Sequence, residues 1–374
     1  MIDGVVKVME SQIRYLKDRV NFYLFVPKAP KGYVEQPIGE VMLTRVKSVK
    51  MFFVDYHMAT PKCDYKFKKT LKGINLDLVL IHSPFGLGKY GIKYANKNKI
   101  PSIIYAHSQI KKDFKRAVTF NFIVDIMIWG TMRRYNKCSI VVPVGEGVKN
   151  IYLNEYKMKN KTYVINNATD MKYLNNKNII NEMIDKYQID TNKIIFSFLG
   201  RINKLKGLWL IADSLKIVKD KGLDFQMIFI GEGQDRIALQ NYIKEIGLEE
   251  NTIFTAGISD RNEIAALLQI SDLFLFPSLY DTNSLVQIEA ASQNTASLLV
   301  EDSVTAYGLK DGIDCYLSNY NVNDYAHKIF EVSQSKKSLR EMGLKANKNI
   351  YRTWEDSHNL LYELMIKLIN EQKK

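Results

Sequence analysis

The sequence predicts an α/β protein built from two doubly wound domains, and three observations carry that prediction. Its 374 residues, 46% of them apolar, are enough for two hydrophobic cores and too many for one. Short apolar runs alternate with longer segments of helical period, regularly so in the second half. Strand, helix, strand at that spacing argues a parallel sheet covered on both faces. The third observation is position: the residues best suited to chemistry fall just past the strands, where sheets of this kind bind ligands.

In the first half, Val20–Val26, Leu76–Ile81, Ser102–Tyr105 and Ser139–Val142 read as strands with helices before and between them. A join falls at Val164–Asp170, where a strand pattern ends in turn formers. Beyond it, Lys193–Leu199, Phe225–Ile230, Thr252–Phe254, Asp272–Pro277, Ala296–Val300 and Cys315–Leu317 are strand candidates. Helical stretches such as Leu208–Lys221, Asp235–Ile246 and Asn262–Gln269 separate them. The last helix, Trp354–Lys373, carries Leu360, Leu361, Leu364, Ile366 and Leu368 as an apolar stripe that must pack on something. The expected division is residues 1–168, 169–350 and a closing segment 351–374. A doubly wound domain opens with a buried strand, whereas this chain goes from Asp3-Gly4 straight into the helical Val5–Arg19. The expectation is a chain short of its first strand by about 15 residues.

The net charge of +13 is unevenly divided. Residues 1–170 hold 29 Lys and Arg against 13 Asp and Glu, a balance of +16, and the remainder has −3. A basic half suits nucleic acid, an anionic membrane surface or a phosphorylated substrate. No nucleic-acid motif accompanies it, so nucleic acid is not expected. No apolar run is long enough to span a bilayer, and the amino terminus lacks a signal-peptide layout, which predicts a cytoplasmic protein. Cys63, Cys138 and Cys315 are scattered, without C-x-x-C spacing. They predict buried, reduced thiols and neither a disulfide framework nor a metal site.

Three motifs lie past strands of the second half. In Phe198-Leu-Gly-Arg-Ile-Asn-Lys-Leu-Lys-Gly207, Gly200 permits a tight turn, and Arg201 and Lys206 bring cations to a helix amino end that already favours anions. That is a diphosphate cradle needing no metal, or else basic surface. Gly231-Glu-Gly233 fits close backbone approach by a ligand or a sharp turn, and no complete G-x-G-x-x-G follows any strand. In Tyr280-Asp-Thr-Asn-Ser-Leu-Val-Gln-Ile-Glu-Ala290, a loop leads into a helix Leu285–Gln293. Glu289 then lies about one turn inside, among Ile288, Ala290 and Ala291, where a carboxylate is costly unless hydrogen-bonded. The vicinal hydroxyls of a ribose would satisfy both its oxygens; local backbone bonds for Glu289 and a helix-start role for Asp281 are the alternative.

In this order, G-R-x-x-x-x-K-G, G-E-G and D/E-x7-E resemble the retaining GT-B glycosyltransferases of the family 4 type. Val164–Asp170 is similar to that family's V-I-P-N-G-x-D join, and Asp3–Val6, His82–Phe85 and His107–Phe114 to its acceptor-domain loops. The resemblance implies two Rossmann-like domains facing a cleft, with the closing helix crossing back to the first. It implies a nucleotide diphosphate sugar as donor substrate, no cofactor and no metal. Arg201 and Lys206 would bind the diphosphate, Glu289 the ribose hydroxyls and Asp281 the transferred sugar. Gly200, Gly231 and the backbone of Asn283, Ser284 and Leu285 would complete the donor site, with Gly4 letting the amino-terminal loop approach. His107 would face the reacting centre, in donor-sugar contact or acceptor positioning. His82 fits a core or capping role as well as a functional one. The expected acceptor is a glycan or a membrane glycolipid or lipid-linked envelope precursor, with the protein peripheral on the inner face of the plasma membrane.

The chain also departs from the family. Asp281 stands where Glu is usual, Thr282-Asn283-Ser284 where Gly-Phe-Gly is commoner, and Gln293-Asn294 where Cys-Gly is frequent. Asn166 and Ala168 weaken the join. These departures keep a second reading open, a non-catalytic remnant acting as a binding partner subunit. On the acceptor side, Lys111–Arg134 has basic ends around an apolar, aromatic centre. It reads either as one buried helix with charged ends or as a helix on a bilayer surface, with Phe120, Phe122 and Trp129 at the acyl boundary.

Overall fold

Continuous apolar runs become the central strands, and the polar segments between them become helices and loops. A computed structural model describes residues 4–29, 41–50 and 57–373. The chain divides into unit 1, Met1–Asn167 with Trp354–Lys374, and unit 2, Ala168–Thr353.

Unit 1 contains β1 (Tyr23–Pro27), β2 (Met42–Val46), β3 (Ser48–Lys50), β4 (His57–Ala59), β5 (Val79–Ile81), β6 (Ser102–Ala106) and β7 (Ile140–Pro143). Strands β5, β6 and β7 form a parallel sheet, β1 and β2 a parallel pair, and β3 and β4 an antiparallel pair. Every residue of the central β6 is buried. Two expected strands start late, at Tyr23 and Val79, because Asn21 and Asp77 are poor strand formers. Strands β2 to β4 have no counterpart in the sequence reading: they are short and carry Thr44, Arg45, Ser48 and Lys50 in place of an apolar run. Helix Gly4–Leu16 packs on helix Trp354–Lys373. Just past the first helix, Arg19 donates to Asn359 Oδ1 at 2.8 Å and lies 4.6 Å from the Tyr362 ring centroid.

The segment Lys111–Arg134, read as one helix either buried or on a bilayer surface, is two helices, Ile110–Ala117 and Asn121–Tyr135. Val118 and Phe120 are extended, as a β-branched and an aromatic residue favour. The second helix buries one face only, through Val124, Ile128, Thr131, Met132 and Tyr135. The cysteine expectation also needs a correction: Cys138 and Cys315 are buried, but Cys63 is exposed. It ends the short turn Pro61–Cys63, and such a surface turn gives its side chain nothing to pack against.

Unit 2 is a single six-stranded parallel sheet of β8 (Ile194–Leu199), β9 (Phe225–Ile230), β10 (Thr252–Phe254), β11 (Leu273–Phe276), β12 (Ala296–Val300) and β13 (Tyr316–Ser318). Their order in the sheet is β10-β9-β8-β11-β12-β13. Strands β8, β11 and β12 are buried at every position, the mark of a parallel sheet covered on both faces. The chain builds outward from β8 to one side and then crosses to β11 on the other. The order therefore reverses between β8 and β11, and the carboxyl ends of these two strands flank the crevice where such sheets bind ligands.

Candidate functional site

At that crevice, two loops bring opposite charges together. The loop after β8 passes through Gly200, Arg201 and the single turn Lys204–Lys206 before helix Leu208–Asp220 starts at Gly207. The loop after β11 runs through Pro277 and Ser278 to Ser284, which precedes helix Leu285–Ser292. Lys206 Nζ donates to both oxygens of Asp281, at 2.7 and 2.8 Å. Their side chains keep 18% and 21% of their exposure, so solvent screens the pair only in part. The buried Ser278 hydroxyl also donates to Asp281 Oδ2, and the lysine ammonium sits 5.8 Å from the Phe276 ring centroid. Arg201 is exposed and has no ion pair among the described residues.

The glycines have a structural reason that the sequence left undecided. Gly200 N–H donates to the Ile230 carbonyl at 3.0 Å and Ile202 N–H to the Glu232 carbonyl at 2.9 Å, so the loops after β8 and β9 run side by side. A Cβ on Gly231 would stand 2.2 Å from the Gly200 oxygen, and one on Gly233 would stand 2.0 Å from the Ile202 oxygen. The close approach expected at G-E-G is that of the neighbouring loop's backbone. Its effect is to fix where Arg201 and Lys206 start.

Glu289 is 4% exposed, within the helix after β11. Arg261 Nη2 donates to its Oε1 at 2.8 Å and also lies 3.4 Å from Thr169 Oγ1 and 3.7 Å from Asp170 Oδ1. A cation from another helix, Arg261–Ile270, answers the carboxylate, in place of the local backbone bonds that were the alternative to a ribose. The sequence reading did not single out Arg261. Its signal was the buried carboxylate itself, which calls for a cation. Ser284 is buried at the helix start, Asn283 and Leu285 flank it half-buried, and Gly200 and Gly231 are likewise half-buried. Unit 2 thus gathers Gly200, Arg201, Lys206, Gly231, Asp281, Asn283, Ser284, Leu285 and Glu289 at the carboxyl ends of β8, β9 and β11.

Gly4 and His107 belong to unit 1. Gly4 opens helix Gly4–Leu16, and a Cβ there would meet nothing within 4 Å. His107 follows β6, and His82 follows β5. His82 Nδ1 and His107 Nε2 are 2.9 Å apart, so one of these nitrogens donates and the other accepts. Tyr105 stacks on both rings, at 5.0 Å from His82 and 5.2 Å from His107. Burial, reinforced by the neighbouring His107 and then His358, holds the His82 pKa well below its ordinary 6.5. Burial raises the Tyr105 hydroxyl to well above its ordinary range, with the nearby Gln12 acting in the opposite direction. The backbone around His107 is pinned by three further tyrosines. Tyr135 donates to the Tyr105 carbonyl at 3.2 Å, Tyr152 donates to the Ser108 carbonyl at 3.2 Å, and Tyr156 accepts from Lys111 N–H at 3.1 Å. Among the described residues, no group of His, Cys, Asp and Glu side chains could hold a metal ion.

Known proteins share this architecture. Residues 179–349 match the family Glycosyl transferases group 1, and residues 2–173 match Glycosyltransferase Family 4. An uncharacterized glycosyltransferase of Methanocaldococcus jannaschii is 26% identical over 62% of this chain and 57% of its own length. The alpha-monoglucosyldiacylglycerol synthase of Acholeplasma laidlawii is 24% identical over 71% of this chain and 68% of its own. The chain thus spans little more than half the length of the first of these relatives. Among solved structures, Anabaena HepE in complex with UDP superposes with a TM-score of 0.76, at 13% identity over 98% of this chain and 96% of that one.

Proposed function

We propose that this chain, which belongs to the group 1 glycosyltransferases and has their GT-B fold, moves a hexosyl unit from a nucleotide diphosphate sugar to an acceptor hydroxyl with retention of configuration. The observation that carries the reading is the Lys206–Asp281 pair at the reversal of strand order, beside the amino end of helix Leu208–Asp220. A cation and helix amides at that point suit a diphosphate, and a carboxylate beside them suits sugar hydroxyls.

In this reading Arg201 and Lys206 bind the diphosphate and stabilise the negative charge it gains as the sugar leaves. Glu289 holds the ribose and Asp281 the sugar. The bond from the anomeric carbon to the diphosphate oxygen breaks, and a bond to the acceptor oxygen forms on the same face. The acceptor's proton leaves with the diphosphate. His107 contacts the sugar or positions the acceptor, and His82 fixes its ring through their hydrogen bond. No metal enters, because the two cations do its electrostatic work.

The acceptor is a membrane glycolipid or a lipid-linked envelope precursor. The basic first half supports this, as does the relative named as a diacylglycerol glycoside synthase. The protein then works peripherally at the inner face of the plasma membrane; among the described residues no helix is long and apolar enough to cross one. The test is incubation of the whole chain with a panel of labelled nucleotide sugars and glycolipid acceptors, beside calorimetry with nucleoside diphosphates. Transfer supports the reading. A folded protein that binds no nucleoside diphosphate would instead be the non-catalytic partner subunit.

A further inference from the structure

Helix Asn121–Tyr135 is apolar on two opposite faces, and only one of them is covered by unit 1. Phe122, Ile126 and Trp129, spaced by four and three residues, share the other face. They are 64%, 61% and 61% exposed, and Phe120 just before the helix is 64% exposed. Single exposed apolar residues are ordinary, but a contiguous stripe of this size marks an interaction surface. Beside the stripe, an open groove of about 440 Å³ is lined by Lys89, Lys93, Trp129, Arg133, Arg134 and Lys137, with no carboxylate in its lining. The guanidinium of Arg133 lies 4.7 Å from the Trp129 ring centroid. The acid on this helix, Asp125, is 3.8 Å from Lys111.

We infer that this face of unit 1 docks on an anionic phospholipid surface. The stripe enters the boundary between head groups and acyl chains, and the cationic groove receives lipid phosphates. Charge complementarity selects this occupant. A second copy of the chain laid symmetrically on the same face would set five cations against five. Nucleic acid could meet the same cations through its phosphates, but as a duplex it would leave the apolar stripe of Phe122 and Ile126 against water. The inference concerns a surface apart from the donor site and stands whether or not the transfer reading does.

The test is co-sedimentation of the whole chain with phosphatidylcholine vesicles, with and without phosphatidylglycerol. Binding should favour the anionic vesicles. About 1 kcal/mol per Lys or Arg near such a surface is roughly fivefold per charge. Lys93→Gln with Arg133→Gln should therefore weaken anionic binding about 25-fold, and Ile126→Ser with Trp129→Ser about tenfold or more. Unchanged melting temperatures establish that these surface variants fold. A blue shift of tryptophan emission on vesicle addition should vanish in Trp129→Phe. Four results would each overturn the inference: equal binding to both vesicle types, variants that bind like the parent, soluble glycerophosphoglycerol binding as tightly as vesicles, or DNA retention or dimerisation abolished by the same substitutions.

Discussion

Lys206 Nζ holds both carboxylate oxygens of Asp281, at 2.7 and 2.8 Å, across 75 positions of sequence. The cation assigned to the diphosphate is therefore engaged by the carboxylate assigned to the sugar. A bound diphosphate must draw Lys206 away or share it. Asp281→Asn removes that competitor, so it should tighten binding of a nucleoside diphosphate several-fold, about 1 kcal/mol for a partly exposed pair. The same change should lower turnover, because the sugar hydroxyls lose a charged acceptor and keep only an amide oxygen. Calorimetry with the diphosphate and steady-state transfer rates separate the two effects. Weaker diphosphate binding in Asp281→Asn would remove Asp281 from its assigned place.

Glu289 and Arg261 invite the complementary experiment. The carboxylate keeps 5% of its side-chain exposure and the guanidinium 39%. Losing the cation strands a buried charge, whereas losing the carboxylate leaves a cation that water can reach. Arg261→Met should therefore cost stability, about 2 kcal/mol after allowing for solvent at the exposed partner. Glu289→Ala should chiefly weaken nucleotide binding, by roughly tenfold. Denaturant titration and nucleotide calorimetry on both variants and the double variant test this. A Glu289→Ala protein with unchanged nucleotide affinity would leave the carboxylate with a purely structural part.

The strands of unit 2 were legible because they are short, nearly uninterrupted apolar runs: Phe225–Ile230, Thr252–Phe254 and Ala296–Val300 have the bounds read from those runs, even though Thr252–Phe254 is only half-buried. The loops that present Lys206 and Asp281 were legible for the same reason, since strand ends locate them. Strands β2 to β4 were not, because half-exposed strands such as Met42–Val46 lack the run of apolar residues that periodicity detects. Two of the site's contacts were equally out of reach. The Arg261–Glu289 and His82–His107 contacts join residues 28 and 25 positions apart on separate elements, and no spacing rule couples them. The two faces of helix Asn121–Tyr135 illustrate a different limit. With apolar residues on two opposite faces, its sequence shows no preferred side, and only the packing distinguishes the buried Val124 from the exposed Ile126.

Gly231 offers a test of how the cradle is held. Its φ of +140° and a projected Cβ at 2.2 Å from the Gly200 oxygen mean that Gly231→Ala must push the loop after β8 away. The expected cost is about 3 kcal/mol, from strain and a displaced backbone, with loss of diphosphate affinity because Arg201 and Lys206 start from that loop. Gly222 is the control, having a φ of +86° and open space around it. Gly222→Ala should cost only about 1 kcal/mol and leave diphosphate binding alone. Thermal melts and calorimetry on the pair decide, and equal effects would mean that the two loops are not coupled.

Two histidines of unit 1, the buried His358 and the half-buried His82, make a prediction about acid. His358 is 1% exposed, 2.8 Å from the Ser11 hydroxyl through Nε2 and stacked on Trp354 at 5.1 Å. Burial lowers its pKa from 6.5 to about 3, and that of His82 falls in the same direction. Above 6.5 both are neutral whether the chain is folded or not. As the pH falls below 6.5, the unfolded chain takes up protons that the folded one refuses, so stability declines down to about 3 for His358. The loss is about 1.4 kcal/mol per pH unit for each such histidine, or about 2 kcal/mol for His358 on going from about pH 7 to about pH 5. His358→Gln, which retains a partner for Ser11, should flatten that slope in denaturation curves measured across the same interval. Unit 2 provides the internal comparison, since its one histidine, His327, is exposed. A slope in unit 1 that survives both His358→Gln and His82→Gln would have to come from groups other than these two histidines.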